Sequence, residues 1–116
     1  MKKLDIIIQP DKLEVLKNIL ISNSVGGITV TSVMGCGKQK GQLVKSAKSK
    51  GIKISGMNLL PKIHVLAVVN DENVEEILNV IQEKISSGKA GDGKVFISDI
   101  ENAMRIRTGD RGKKAI

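Results

Sequence analysis

The sequence predicts an α+β fold in the order strand–helix–strand, long loop, strand–helix–strand. Three observations predict it. Two segments carry apolar residues at helical spacing, residues 13–20 and 74–81. Each is flanked by short runs rich in Ile and Val, as strands are. Between the two halves, residues 35–57 hold to neither period and are dominated by Gly, Ser and Lys.

The elements follow in order. "KKLDIIIQ" (2–9) is rich in β-branched side chains and reads as a strand. Pro10 and Asp11 open a helix in which Leu13, Leu16, Ile19 and Leu20 share one face, and "SNSVGG" stops it. "ITVTSVMG" (28–35) is the second strand, with Ile28, Val30 and Val33 among threonines and serine. After the loop, "LLPKIHVLAVV" (59–69) is a long strand of the buried type. "NDENVEEILNVIQEKI" (70–85) is the clearest helix, with Asp71 as N-cap, acids in its first turn and a stripe of Val74, Ile77, Leu78 and Ile81. "KVFISDI" is the last strand, followed by "ENAMRIRTG" and a basic tail. This order is the ferredoxin-like βαββαβ unit. Its two helices cover one sheet face; the strands read as too uniformly apolar for the other to stay wet, so self-association is expected.

A chain of 116 residues fits one domain. One Cys (Cys36) cannot form an internal disulfide, and with one His (His64) it cannot build a zinc site. The start, "MKKLDIIIQPDK", has two lysines before an apolar run, but Asp5, Gln9, Pro10 and Asp11 interrupt it too early for a signal peptide or membrane span. A cytoplasmic protein is expected. Net charge is +7, yet Lys38, Lys40, Lys45, Lys48, Lys50 and Lys53 all fall in the acid-free stretch 35–57, so the excess belongs to a loop. With a single Phe (Phe96), no Trp and no Tyr, the chain lacks the aromatic faces of a single-strand nucleic-acid platform. No nucleic-acid partner is expected.

The stretch "SSGKAGDGKVFI" (86–97) places three glycines and two lysines around one aspartate at the start of a strand. Closely spaced glycines let backbone N–H groups crowd a phosphate, and Lys89 and Lys94 add charge. The plain structural reading, Gly88 as helix C′ before a turn, carries equal weight for this stretch alone. The spacing is not that of a Walker loop. "RIRTGDRG" sets Arg105 and Arg107 two apart on a segment read as extended, hence on one face, a clamp for phosphate oxygens or else a solvated edge. "GCGKQKG" (35–41) is a third glycine-bracketed cationic turn. No nucleophile or general base stands out; His64, in mid-strand, reads as packed rather than catalytic.

Here the chain resembles the nitrogen regulatory PII signalling family. The resemblance rests on "SGKAGDGKVFI" (87–97), "MRIRTGD" (104–110), "GCGKQKG" and "LLPK" (59–62), and runs nearly end to end. It implies a non-enzymatic homotrimer with ATP or ADP in clefts between subunits, sensing 2-oxoglutarate by reshaping a T-loop of about residues 36–57. A phosphate loop at about 86–93 and a C-terminal loop and tail at about 100–116 complete the single domain. The resemblance assigns Gly91, Gly93 and Lys94 to phosphates, Asp92 to shaping their turn, and Arg105 and Arg107 to the same phosphates from the neighbouring subunit. Thr29, Gly35, Gly37 and Val68 line the adenine and ribose side, and Lys38 touches phosphate. Gln39 completes a Mg²⁺ shell made mostly by ATP and 2-oxoglutarate. Lys62 pairs with the 2-oxoglutarate carboxylate beside backbone N–H groups at Lys40 and Gly41. The partner implied is a target docked by the T-loop, an ammonium transporter or a nitrogen-metabolism enzyme, with membrane contact only through a transporter.

The departures are specific. The tyrosine-bearing T-loop motif of the uridylylated members is absent, so tyrosine modification is excluded; Ser46, Ser49 and Ser55 read as solubilising loop residues. Cys36 replaces a typically aromatic residue, and Leu66 stands where many members carry an acid beside the nucleotide. Alternatives are an adenylate-only relative regulating a non-nitrogen transporter or enzyme, a nucleic-acid-binding ferredoxin-like domain, and a small phosphate enzyme.

Overall fold

The computed structural model describes residues 1–37, 52–54 and 57–116. The chain runs β1 (Lys2–Ile8), α1 (Leu13–Ser22), β2 (Ile28–Gly35), β3 (Ile52–Ile54), β4 (Met57–Val69), α2 (Val74–Ile85) and β5 (Gly93–Asp99). The main sheet is antiparallel in the order β2-β4-β1-β5, and β3 pairs with the start of β4. This is the α+β ferredoxin-like arrangement.

Strand alternation decides which side chains meet the helices. Leu4, Ile6 and Ile8 of β1 lie beside Ala67, Val65 and Ile63 of β4, and all but the partly buried Ile63 are closed to solvent. Against them pack Leu16, Ile19 and Leu20 from α1 and Val74, Ile77, Ile81 and Ile85 from α2, a single core on one face. Each such aliphatic side chain stabilises the fold by about 1.5–3 kcal/mol relative to exposure. α1 and α2 pack on each other across this face.

Four sequence expectations change. First, residues 35–57 are not structureless throughout. Ile52–Ile54 pairs with Met57, Asn58 and Leu59, and β4 begins at Met57 rather than Leu59. A three-residue Ile-Lys-Ile alternation is too short to stand out as a period on its own. Pro61 is tolerated in β4 because β2 flanks it on one side only, β1 pairing beginning at Ile63.

Second, Asp71 does not cap α2 through its side chain. Residues Asp71–Asn73 form a 3₁₀ turn, α2 starts at Val74, and the Asp71 carboxylate pairs at 2.9 Å with the amino group of Met1. That charge-assisted contact holds the Asp71 carboxyl below its ordinary range. The first helix likewise opens with a 3₁₀ turn, Pro10–Lys12.

Third, the face turned away from the helices is mixed rather than uniformly apolar. Register places Lys3, Asp5 and Ile7 of β1, Lys62, His64, Leu66 and Val68 of β4, Thr29, Thr31 and Val33 of β2, and Phe96 of β5 on it. At its centre His64 Nε2 lies 2.8 Å from Asp5 Oδ1, and Lys3 Nζ lies 3.2 Å from Asp5 Oδ2. His64 is thus a partly buried, ion-paired side chain. Its hydrogen bond, with Lys3 assisting, holds the Asp5 carboxyl below its usual range against the opposing effect of burial.

Fourth, the segment bearing Arg105 and Arg107 is a turn, not an extended strand. Thr108 and Gly109 N–H groups both donate to the Arg105 carbonyl, at 3.3 and 2.7 Å. Asp110 locks it by accepting from the Arg105 guanidinium at 3.3 Å and the Thr108 hydroxyl at 2.8 Å. The two arginines therefore do not form a clamp on one strand face.

Candidate functional site

The four strands end together at one edge of the open face, and the loop from α2 into β5 folds over that edge. The result is an open cavity of about 440 Å³ lined by Gly35, Cys36, Gly37, Lys62, Lys89, Gly91, Asp92, Gly93 and Lys94, with Ile7 and Phe96 as its apolar floor. Three ammonium groups with one carboxylate make it a cationic concavity suited to a polyanion.

The loop is built around Asp92. Its carboxylate accepts from the Ser87 N–H at 2.7 Å, the Gly88 N–H at 3.1 Å and the Ser87 hydroxyl at 2.5 Å. These bonds, the Ser87 hydroxyl first, pull the Asp92 carboxyl below its ordinary range. The Lys89 N–H donates to the Ser87 hydroxyl at 3.3 Å. The N–H groups at the front of the loop are therefore engaged with the loop itself, and the part turned to the cavity is residues 89–94. Gly88 is not the helix C′ residue, since α2 ends at Ile85 with Ser86 extended; it takes φ +79° inside the Asp92-centred turn.

Gly93 is required for a different reason. It lies at φ +119° beside Ile8, and a Cβ there would stand 2.0 Å from the Ile7 carbonyl oxygen. Only a residue without a side chain lets β5 leave the loop this close to β1. Gly91, at φ +101°, turns its carbonyl to two donors, Lys62 Nζ at 3.2 Å and Gln9 Nε2 at 3.1 Å. Burial pushes the Lys62 ammonium below its usual range, opposed by the Asp92 charge.

A second concavity, about 410 Å³, lies at the other end of β2. Ile28, Thr29, Leu66, Val68 and Arg105 line it, and Ile116 closes it, with its carbonyl carbon 3.4 Å from where a Cβ on Gly26 would stand. The structure thus divides the residues assigned from sequence. Gly35 and Gly37 join Lys62, Gly91, Asp92, Gly93 and Lys94, not Thr29 and Val68 as expected. Thr29 and Val68 join Arg105 instead. Thr29 and Gly35 are six residues apart on one strand, about 20 Å by strand rise. Arg107 lines neither cavity. Lys38, Gln39, Lys40 and Gly41 lie outside the described residues, as do Lys45, Ser46, Lys48, Ser49, Lys50 and Ser55.

These two concavities, on this fold, match a known pattern. A family model described as nitrogen regulatory protein P-II matches residues 1–110. The chain belongs to the P-II family. Similar proteins include nitrogen regulatory protein P-II 2 of Methanothermobacter thermautotrophicus, 43% identical over 116 residues covering all of this chain and 97% of that one. P-II of Porphyra purpurea is 40% identical, and P-II of Rhizobium meliloti 41%, each over the full length of both chains. P-II proteins are regulatory rather than enzymatic, and this chain is a nitrogen regulatory signal protein of that kind.

Sequence reasoning missed three residues of the P-II site. Ile7 and Phe96 form the floor of the cavity, which only strand register reveals. Gln9 reaches the loop across 82 residues of chain, and nothing in its sequence neighbourhood marks it. The cationic cavity with its glycine-lined wall fits a polyphosphate. Among the described residues no His, Cys, Asp and Glu side chains gather as a metal site, and the assigned Mg²⁺ ligand, Gln39, lies outside them. No helix among the described residues is long and apolar enough to cross a membrane.

Proposed function

We propose that this protein senses ATP, ADP and 2-oxoglutarate in the cytoplasm and regulates nitrogen metabolism by docking its T-loop onto a target. The observation that carries the reading is the separation of two half-sites. The cationic loop cavity suits a triphosphate, and the aliphatic concavity of Ile28, Leu66 and Val68 suits a flat base. One nucleotide joins the two chemistries when the base end of one copy meets the phosphate end of the next. A homotrimer closed in this way has three such clefts, with Arg105 approaching from the base side. In the bound state Gln39 would complete the Mg²⁺ shell, and Lys62 would meet the 2-oxoglutarate carboxylate. The six T-loop lysines suit an acidic target surface, such as an ammonium transporter or a nitrogen-metabolism enzyme.

Titration calorimetry with ATP·Mg²⁺, with and without 2-oxoglutarate, tests this on wild type and Gln39→Ala. ATP binding, with 2-oxoglutarate binding only in its presence and lost in Gln39→Ala, is the expected result. ATP binding without any 2-oxoglutarate response makes the chain an adenylate-only regulator. Absence of nucleotide binding overturns the proposal.

A further inference from the structure

The Gly91 carbonyl is the one loop acceptor seen to take two side-chain donors of different charge, and the consequences differ for each. Lys62 is a cation inside a cavity built for anions, partly desolvated, and it rests on a neutral carbonyl. A charge-assisted bond to an anion is about twice as strong as one to a neutral acceptor. An arriving polyanion therefore draws Lys62 off the loop. Gly91 then has no side chain and a positive φ, so rotation of its peptide is cheap. Rotation would swing the carbonyl toward the anion and reverse the Asp92 N–H, because a trans peptide sets the two in opposite directions. Gln9 is neutral and has no comparable attraction to the ligand. Its amide, 3.1 Å from the same oxygen, stays.

We propose that Gln9 is a positioning residue: it holds the Gly91–Asp92 peptide in its binding orientation once Lys62 has turned to a bound polyphosphate or carboxylate. The proposal rests on the nucleotide reading above. It concerns a residue at the end of β1 that touches the loop and not the ligand.

The test uses the full chain with Gln9→Met, which keeps length and removes the donor. Calorimetry with ATP·Mg²⁺ and 2-oxoglutarate is read beside the Asp92 backbone amide signal by NMR. Expected is an affinity about five- to tenfold weaker, the size of one lost hydrogen bond. The Asp92 amide is expected to broaden by exchange only after ligand is added. Wild-type affinity in Gln9→Met overturns the proposal. So does an Asp92 amide already broadened in the unliganded variant together with a lowered melting temperature, which makes Gln9 a structural tie. Wild type that binds no nucleotide overturns the nucleotide reading itself, whereas wild type that binds beside an unaffected variant overturns only the role of Gln9.

Discussion

Gly93 and Gly88 show how differently two glycines of one loop are constrained. Both have positive φ, but a Cβ on Gly88 meets nothing within 4 Å, whereas one on Gly93 meets the Ile7 carbonyl at 2.0 Å. Gly88→Ala should cost about 1 kcal/mol, the ordinary left-handed penalty. Gly93→Ala adds a backbone collision that separates β5 from β1 and should cost about 1–3 kcal/mol more. Urea denaturation of the two variants checks the order, and equal losses would contradict the close approach. The glycine pattern was visible in the sequence, but both glycines look alike there. Only the Ile8–Gly93 pairing separates them.

At the scale of elements, the phosphate loop is held by one carboxylate, and that has a pH signature. Asp92 in the folded loop has a depressed pKa, so its stabilising bonds are fully present above the unfolded value of about 3.9. They are lost as pH falls through the lower folded value. The loop should therefore stay ordered at neutral and mildly acidic pH. Amide signals of Ser87 and Gly88 should move with a midpoint below 3.9; a midpoint at or above it would mean that Asp92 does not anchor the turn. Helices and strands were legible from periodicity because each element buries one continuous stripe, as Leu16, Ile19 and Leu20 do. The Arg105–Thr108 turn was not, since its closure depends on Asp110 folding back on it, and alternating arginines look the same in a strand.

For the whole molecule, the open sheet face is the large unresolved asset of a single copy. Phe96 is 57% exposed on it, at the edge strand, beside an ion-paired cluster of Lys3, Asp5 and His64. If copies assemble through this face, as proposed, Phe96→Asp buries an unpaired charge there and shifts the protein toward monomer. Sedimentation velocity should report about three times the monomer mass for wild type and a lighter species for the variant. Unchanged assembly would place the interface elsewhere.

The sequence by itself determined the order of elements, the two apolar helix stripes, the family and the glycine-rich loop, because local periodicity and contiguous motifs carry that information along the chain. It did not determine which residues stand together across the sheet. The split of Thr29, Val68 and Arg105 from Gly35, Gly37 and Lys62, the mixed character of the open face, and the reach of Gln9 to Gly91 were decided by strand register. A one-residue change of register reverses every side chain in a strand, so these placements exist only once the sheet is paired.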